Sequence, residues 1–133
     1  MIKLFIGGKG SGKTKTLIEL VNNAASATEG SVVCLEKGDK LRLDITYKAR
    51  LIDTEDYAIG DAEVLYGFIA GILASNSDIT DIFVDSALKI CGNDTAAFET
   101  MLKKLEAVTK DVKLVMTASI PVDECPAAIK AYA

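Results

Sequence analysis

The residues best suited to chemistry stand near the start: Gly7-Gly8-Lys9-Gly10-Ser11-Gly12-Lys13-Thr14. Their spacing is G-x-x-x-x-G-K-[ST]. An apolar run, Met1 to Ile6, precedes them, and an amphipathic stretch, Lys13 to Ala27, follows. Strand, glycine-rich loop and helix in that order suit a phosphate group. Glycines let the backbone curl so that successive N–H groups converge on phosphate oxygens. The positive end of the next helix points to the same place. Gly8, Lys9, Gly10, Ser11, Gly12, Lys13, Thr14 and Lys15 are the expected phosphate contacts. Lys13 is expected to reach the outer phosphates and assist catalysis, and the Thr14 hydroxyl to ligate Mg²⁺. The plainer alternative is a strand-to-helix turn that binds nothing. The agreement of pattern with context weighs against it.

A second element must bring a carboxylate to this loop. Ile82-Phe83-Val84-Asp85 is an apolar strand ending in one. A buried strand would deliver Asp85 to the carboxyl edge of the sheet, where it holds Mg²⁺ with Thr14, usually through water. Many strands end in Asp, and a residue that merely turns the loop is the competing reading.

At these residues the chain resembles the P-loop NTPase superfamily. Val33-Cys34-Leu35-Glu36 and Val84-Asp85-Ser86 resemble the RecA-like group within it. The resemblance covers the core topology of roughly the whole chain, and leaves no room for the DNA-binding loops or terminal domains of recombinases. It implies an α/β fold: a three-layer α/β/α sandwich with a mainly parallel sheet. It implies a strand order in which the last strand lies between the loop strand and the Asp85 strand. It implies ATP and Mg²⁺ as ligands. Hydrolysis needs a group to orient and deprotonate water. Many relatives carry Glu directly after the Asp, but here that position is Ser86. The resemblance therefore points to Glu36 as the catalytic base. A solvated strand end beside Lys37 is the alternative. Thr117 or Ser119, at the tip of the last strand, would sense the γ-phosphate. Ser119 can equally open a turn before Pro121.

Other classes fit less well. A GTPase would show Asp-x-x-Gly, and Asp85-Ser86-Ala87-Leu88 lacks the glycine. Nucleotide kinases use an arginine-bearing lid to neutralise two phosphate chains, and Arg42 and Arg50 are the only arginines here. The thymidine-kinase type needs zinc cysteine pairs. Pilus-retraction and secretion ATPases need an additional N-terminal domain and His-containing boxes, and the chain has no histidine. The favoured function is a slow Mg-dependent ATPase acting with a protein partner or as an oligomer. The alternatives are a nucleotide-sensing module without useful hydrolysis, and a small-molecule kinase with its acceptor pocket under residues 37–60.

Composition sets the frame for these elements. A chain of 133 residues that is 50% apolar builds one globular domain. Fifteen basic and 19 acidic residues give a net charge of −4, which argues against nucleic acid as a partner. Cys34, Cys91 and Cys125 form no C-x-x-C pair, so a zinc site is not expected and a reducing cytoplasm fits. No signal peptide is read at the start, and the apolar run Val64 to Ala74 is too short to span a bilayer.

The remaining elements follow the rhythm strand, helix, strand. Strands are expected at Ile2–Ile6, Val32–Glu36, Arg50–Asp53, Ile79–Asp85 and Val112–Ala118. Strict alternation from Lys40 to Lys48 predicts a further half-exposed strand, with a short helix as the alternative because Leu41 and Ile45 are four apart. Helices are expected after the loop, at Asp61–Asn76, after Asn93 or Asp94, and at Pro126–Tyr132. The first should end near Glu29-Gly30 with a left-handed glycine. Gly67 and Gly71 are read as letting their helix sit close to the sheet. Lys37, Lys40, Arg42, Lys48 and Arg50 form a basic cluster. It is read as a solvated edge in preference to an arginine finger or a dock for an acidic partner.

Overall fold

Five apolar runs form five parallel strands in a computed structural model that describes all residues, 1–133. The order of elements is β1 (Ile2–Ile6), α1 (Lys13–Ala27), β2 (Ser31–Glu36), β3 (Ala49–Asp53), α2 (Ala62–Ser75), β4 (Ile79–Val84), α3 (Ala87–Ile90), α4 (Thr95–Val108), β5 (Lys113–Ala118) and α5 (Ala127–Lys130). The strands lie side by side as β1-β5-β4-β2-β3, all parallel. The last strand thus sits between the loop strand β1 and the Asp85 strand β4.

Alternation along each strand sorts side chains to two faces. Val32 and Cys34 meet Leu17, Val21 and Ala25 of α1 on one face. Val33, Leu35, Ile82 and Val84 meet Leu65 and Ile69 of α2, Leu102 and Leu105 of α4, and Ile129 of α5 on the other. Helices therefore cover both faces. The handedness of parallel crossovers explains the sides. The step from β1 to β2 runs one way across the sheet and puts α1 on the first face. The returns from β3 to β4 and from β4 to β5 run the other way, so α2 and α4 fall on the second.

The step from β2 to β3 runs in the same direction as the first, so its connection must also cross the α1 face. That connection is residues 37–48, and it corrects the expected strand at Lys40–Lys48. Parallel neighbours cannot be joined by a hairpin, so this stretch has to travel back along the sheet. It does so as turns, with Ile45 N–H donating to Leu41 O at 3.1 Å in one helical turn. Leu41 and Ile45 are buried against α1's cluster, while Leu43 is 91% and Tyr47 92% exposed. Burying each of two such side chains contributes about 1.5–3 kcal/mol. That outweighs strand preferences spanning about 1 kcal/mol, so the four-residue spacing prevailed over the two-residue one.

Two glycine readings also change. Gly30 is not left-handed; α1 ends at Ala27 with an extended Thr28 cap. A Cβ on Gly30 would lie 2.4 Å from Asp78 O, so the residue is small because β4's lead-in passes against it. Gly67 and Gly71 do not face the sheet. Both are exposed, and a Cβ on either would meet nothing within 4 Å. The other caps fall where side-chain chemistry puts them. Asp61 accepts from Val64 N–H at 2.9 Å and Asp94 from Ala97 N–H at 3.0 Å. The three cysteines are free, and burial pushes the Cys34 and Cys91 thiols up to about 12. No helix is long and apolar enough to cross a membrane.

Candidate functional site

β1 ends where the glycine loop begins, and Gly7 N–H is anchored to Ile120 O at 2.9 Å. The loop then enters α1 through Gly12, which holds φ 83° and ψ 11° at the cap position. That left-handed conformation suits glycine and strains other residues. No side chain caps α1. Thr16 N–H bonds back to Gly12 O at 3.1 Å, but the N–H groups of Lys13, Thr14 and Lys15 find no acceptor within the protein. Lys13 and Lys15 occupy the first turn, where no acidic residue stands. Cations at a helix N-terminus oppose its dipole by about 0.3–1 kcal/mol each. The local sequence therefore sacrifices helix stability and concentrates positive potential at one spot.

That spot opens on a cleft of ≈ 800 Å³ at the carboxyl end of the sheet. Gly8, Lys9, Gly10, Ser11, Gly12, Lys13, Thr14 and Lys15 all line it, as does Ser119. Lys40 and Lys89 bring the lysines to five, and no carboxylate is among the lining residues. In a chain of net charge −4 this is a strong local reversal of sign. Lys40, Lys89 and Asn93 were not among the expected contacts. Lys89 follows Asp85 by four residues, one turn into α3, a helix whose start at a left-handed Ser86 (φ 56°) the sequence did not signal. Lys13 itself folds back on the loop, donating to Gly8 O at 2.9 Å and Ser11 Oγ at 3.1 Å. Both partners are replaceable by phosphate oxygens.

Asp85 directly follows β4, beside this loop, and is 8% exposed. Thr14 Oγ1 donates to its Oδ1 at 3.1 Å, and Thr117 Oγ1 donates to the same oxygen at 2.8 Å. Thr117 in turn accepts from Ser86 N–H at 2.7 Å. Thr14 and Asp85, which lie far apart in sequence, are thus in direct contact. The two oxygens form a donor set suited to Mg²⁺, a hard cation that takes one or two protein oxygens plus phosphates and water. Both hydroxyls at the end of β5 border the cleft: Thr117 is buried and holds Asp85, while Ser119 is exposed.

Glu36 lies at the same end of the sheet, one strand over. It is 2% exposed, so it is not a solvated strand end. Its two carboxylate oxygens accept Lys40 N–H at 3.1 Å and Leu41 N–H at 2.9 Å. It therefore caps the turn that starts the 37–48 crossover, and it is not among the residues lining the cleft. Burial raises its pKa; the N–H groups of Leu41 and Lys40 pull it back, and the charges of Asp85 and Asp53 raise it further. Asp53 holds the other side of the same connection, accepting Gly38 N–H at 2.8 Å. Arg42, Lys48 and Arg50 are exposed and away from the cleft lining. No protein-family model matches the chain, and no curated protein matches it.

Proposed function

We propose that this chain is a P-loop nucleotide-binding domain of RecA-like type that takes ATP with Mg²⁺ in the lysine-lined cleft and hydrolyses it slowly. The observation that carries the reading is the uncapped start of α1. Three main-chain N–H groups, the Lys13 ammonium and the helix dipole converge there on one open space. Few ligands other than a polyanion suit that arrangement, and the Thr14–Asp85 pair next to it suits the Mg²⁺ that accompanies a triphosphate. Bound Mg²⁺ would neutralise charge on the phosphate oxygens.

The chain's own residues divide the work. The loop N–H groups cradle the phosphates. Lys13 exchanges Gly8 O and Ser11 Oγ for outer phosphate oxygens. Thr14 and Asp85 hold the metal, with Thr117 fixing the Asp85 carboxylate. Ser119, exposed on the cleft wall, is assigned the terminal phosphate. Glu36 serves as the base once its carboxylate is released from Lys40 N–H and Leu41 N–H. Each of those bonds to a charged acceptor is worth about 1.5–3 kcal/mol, so release is unfavourable and turnover is slow. Three free thiols, two of them buried, suit a reducing cytoplasm.

The same Glu36 geometry favours a second reading: a sensor that binds ATP or ADP and signals through the 37–48 turn to a protein partner. Phosphate release by wild type and Glu36→Gln separates the two. Turnover abolished with nucleotide affinity intact supports the ATPase. No turnover in either, with affinity intact in both, supports the sensor.

A further inference from the structure

Two edges bound the sheet, and the chain treats them differently. Along β1, Leu4 N–H donates to Tyr132 O at 2.8 Å, so the C-terminal segment covers that edge. β3 pairs with β2 alone, in register from Val32–Ala49 to Glu36–Asp53. No segment beyond β2 bonds to the main chain of Arg50, Leu51 or Ile52. An unpaired edge of this kind is a template for another strand.

Charge is sorted along this open strand. Lys48 and Arg50 are exposed at its start, and Glu55 and Asp56 are exposed on the single 3-10 turn, Thr54–Tyr57, that follows its end. None of the four is in an ion pair; the chain's one ion pair, Lys103–Glu99 at 3.1 Å, is on α4. A groove runs beside the strand, lined by Tyr47, Arg50, Ile52 and, from α2, Ile72. Ile52 and Ile72 are only partly buried there.

We propose that β3 is a self-association edge. Two copies of this chain pair their β3 strands antiparallel about a twofold axis near Leu51 and Ile52, joining two five-stranded sheets into one. The charge pattern selects this geometry. A twofold axis between Leu51 and Ile52 sets Lys48 of each copy opposite the turn that carries Glu55 and Asp56 of the other, with Arg50 opposite Asp53 and two residues from Glu55. Parallel addition would set like charges side by side. Exposed charges usually protect an edge from pairing; here their segregation blocks parallel mates and favours the twofold one. The twofold pairing uses the one β3 edge of each copy and so closes at two, and the C-terminal segment bonded at Leu4 obstructs addition at β1. The pairing satisfies the outer N–H and C=O groups of β3 and shelters Ile52 and Ile72. It does not rest on nucleotide binding, because β3 lies at the opposite edge of the sheet from β1.

Sedimentation velocity on the full chain over a range of concentrations tests this. Wild type should dimerise, more weakly at high salt. Lys48→Glu with Arg50→Glu should raise the dimer dissociation constant at least about tenfold, because symmetry counts each reversal twice. Glu55→Lys with Asp56→Lys should do the same. Mixing the two double variants should restore a dimer containing one copy of each, which also shows that both are folded. A wild type that stays monomeric at every concentration overturns the proposal. So does a dimer unmoved by the reversals, or variants that do not recombine on mixing.

Discussion

Asp85 and Glu36 are both carboxylates, both buried, and both sit at the carboxyl ends of neighbouring strands, β4 and β2. Their partners differ. Asp85 accepts from the hydroxyls of Thr14 and Thr117. Glu36 accepts from two main-chain N–H groups of a turn. A hydroxyl can rotate and offer its lone pairs elsewhere, to a cation for instance. A main-chain N–H cannot turn without moving the chain. The same functional group therefore has readily exchanged partners at one strand end and tightly held ones at the next, from which release is costly. On the Asp85 side the partners are side-chain hydroxyls beside the glycine loop, and on the Glu36 side they are main-chain groups of a crossover.

That contrast can be broken by removing each carboxylate in turn. Glu36→Ala should destabilise the fold most, by about 3 kcal/mol, since it strands the buried Leu41 N–H and the part-buried Lys40 N–H and leaves a cavity. Asp85→Ala should cost less, about 1 kcal/mol, because the freed hydroxyls can rotate to other acceptors. Urea unfolding measures both, and equal losses would erase the distinction. In ligand binding the order should reverse. Asp85→Asn should remove the Mg²⁺ dependence of ATP affinity, a change of about tenfold for a weakened charged contact. Glu36→Gln should leave that affinity within about twofold, since its carboxylate bonds the 37–48 turn and, unlike Asp85, makes no hydrogen bond to the glycine loop or to Thr14. Titrations with Mg²⁺ and with a chelator read this directly.

Smaller effects sharpen the comparison. Thr117→Val keeps the shape but removes a donor to Asp85 and an acceptor for Ser86 N–H. A loss of about 1–2 kcal/mol is expected in the same unfolding assay. The smallest effect is a pH slope. Glu36 is raised above its ordinary 4.5, chiefly by burial. The native state then binds that proton more tightly than the unfolded chain does, so Glu36's contribution to stability falls as pH rises from 4.5 through the raised value. Glu36→Gln should flatten the slope that begins above pH 4.5. Urea midpoints across that range that are identical for wild type and variant would contradict it.

How much of this could be read from the sequence depended on how local the chemistry was. The glycine loop, α1 and the strand ending in Asp85 were legible because each is set by neighbours a few residues away. The parallel sheet was legible from the alternation of strands and helices. The 40–48 stretch was not. Leu41, Leu43, Ile45 and Tyr47 satisfy a two-residue period and, taken at every second member, a four-residue one. Which face is buried was decided by the crossover's handedness, a property of the whole sheet. Glu36's partners depend on that same turn, so its capping role was hidden too. Gly67 and Gly71 misled for a related reason: spacing reports which residues share a face, not where the face points.

The most direct measurement is calorimetric titration of wild type and Lys13→Ala with ATP in Mg²⁺. Micromolar binding by wild type is predicted, weakened at least about a hundredfold in the variant through loss of a charged phosphate contact. Wild type that binds no nucleotide, or a variant that binds as tightly, would contradict the assignment of the cleft.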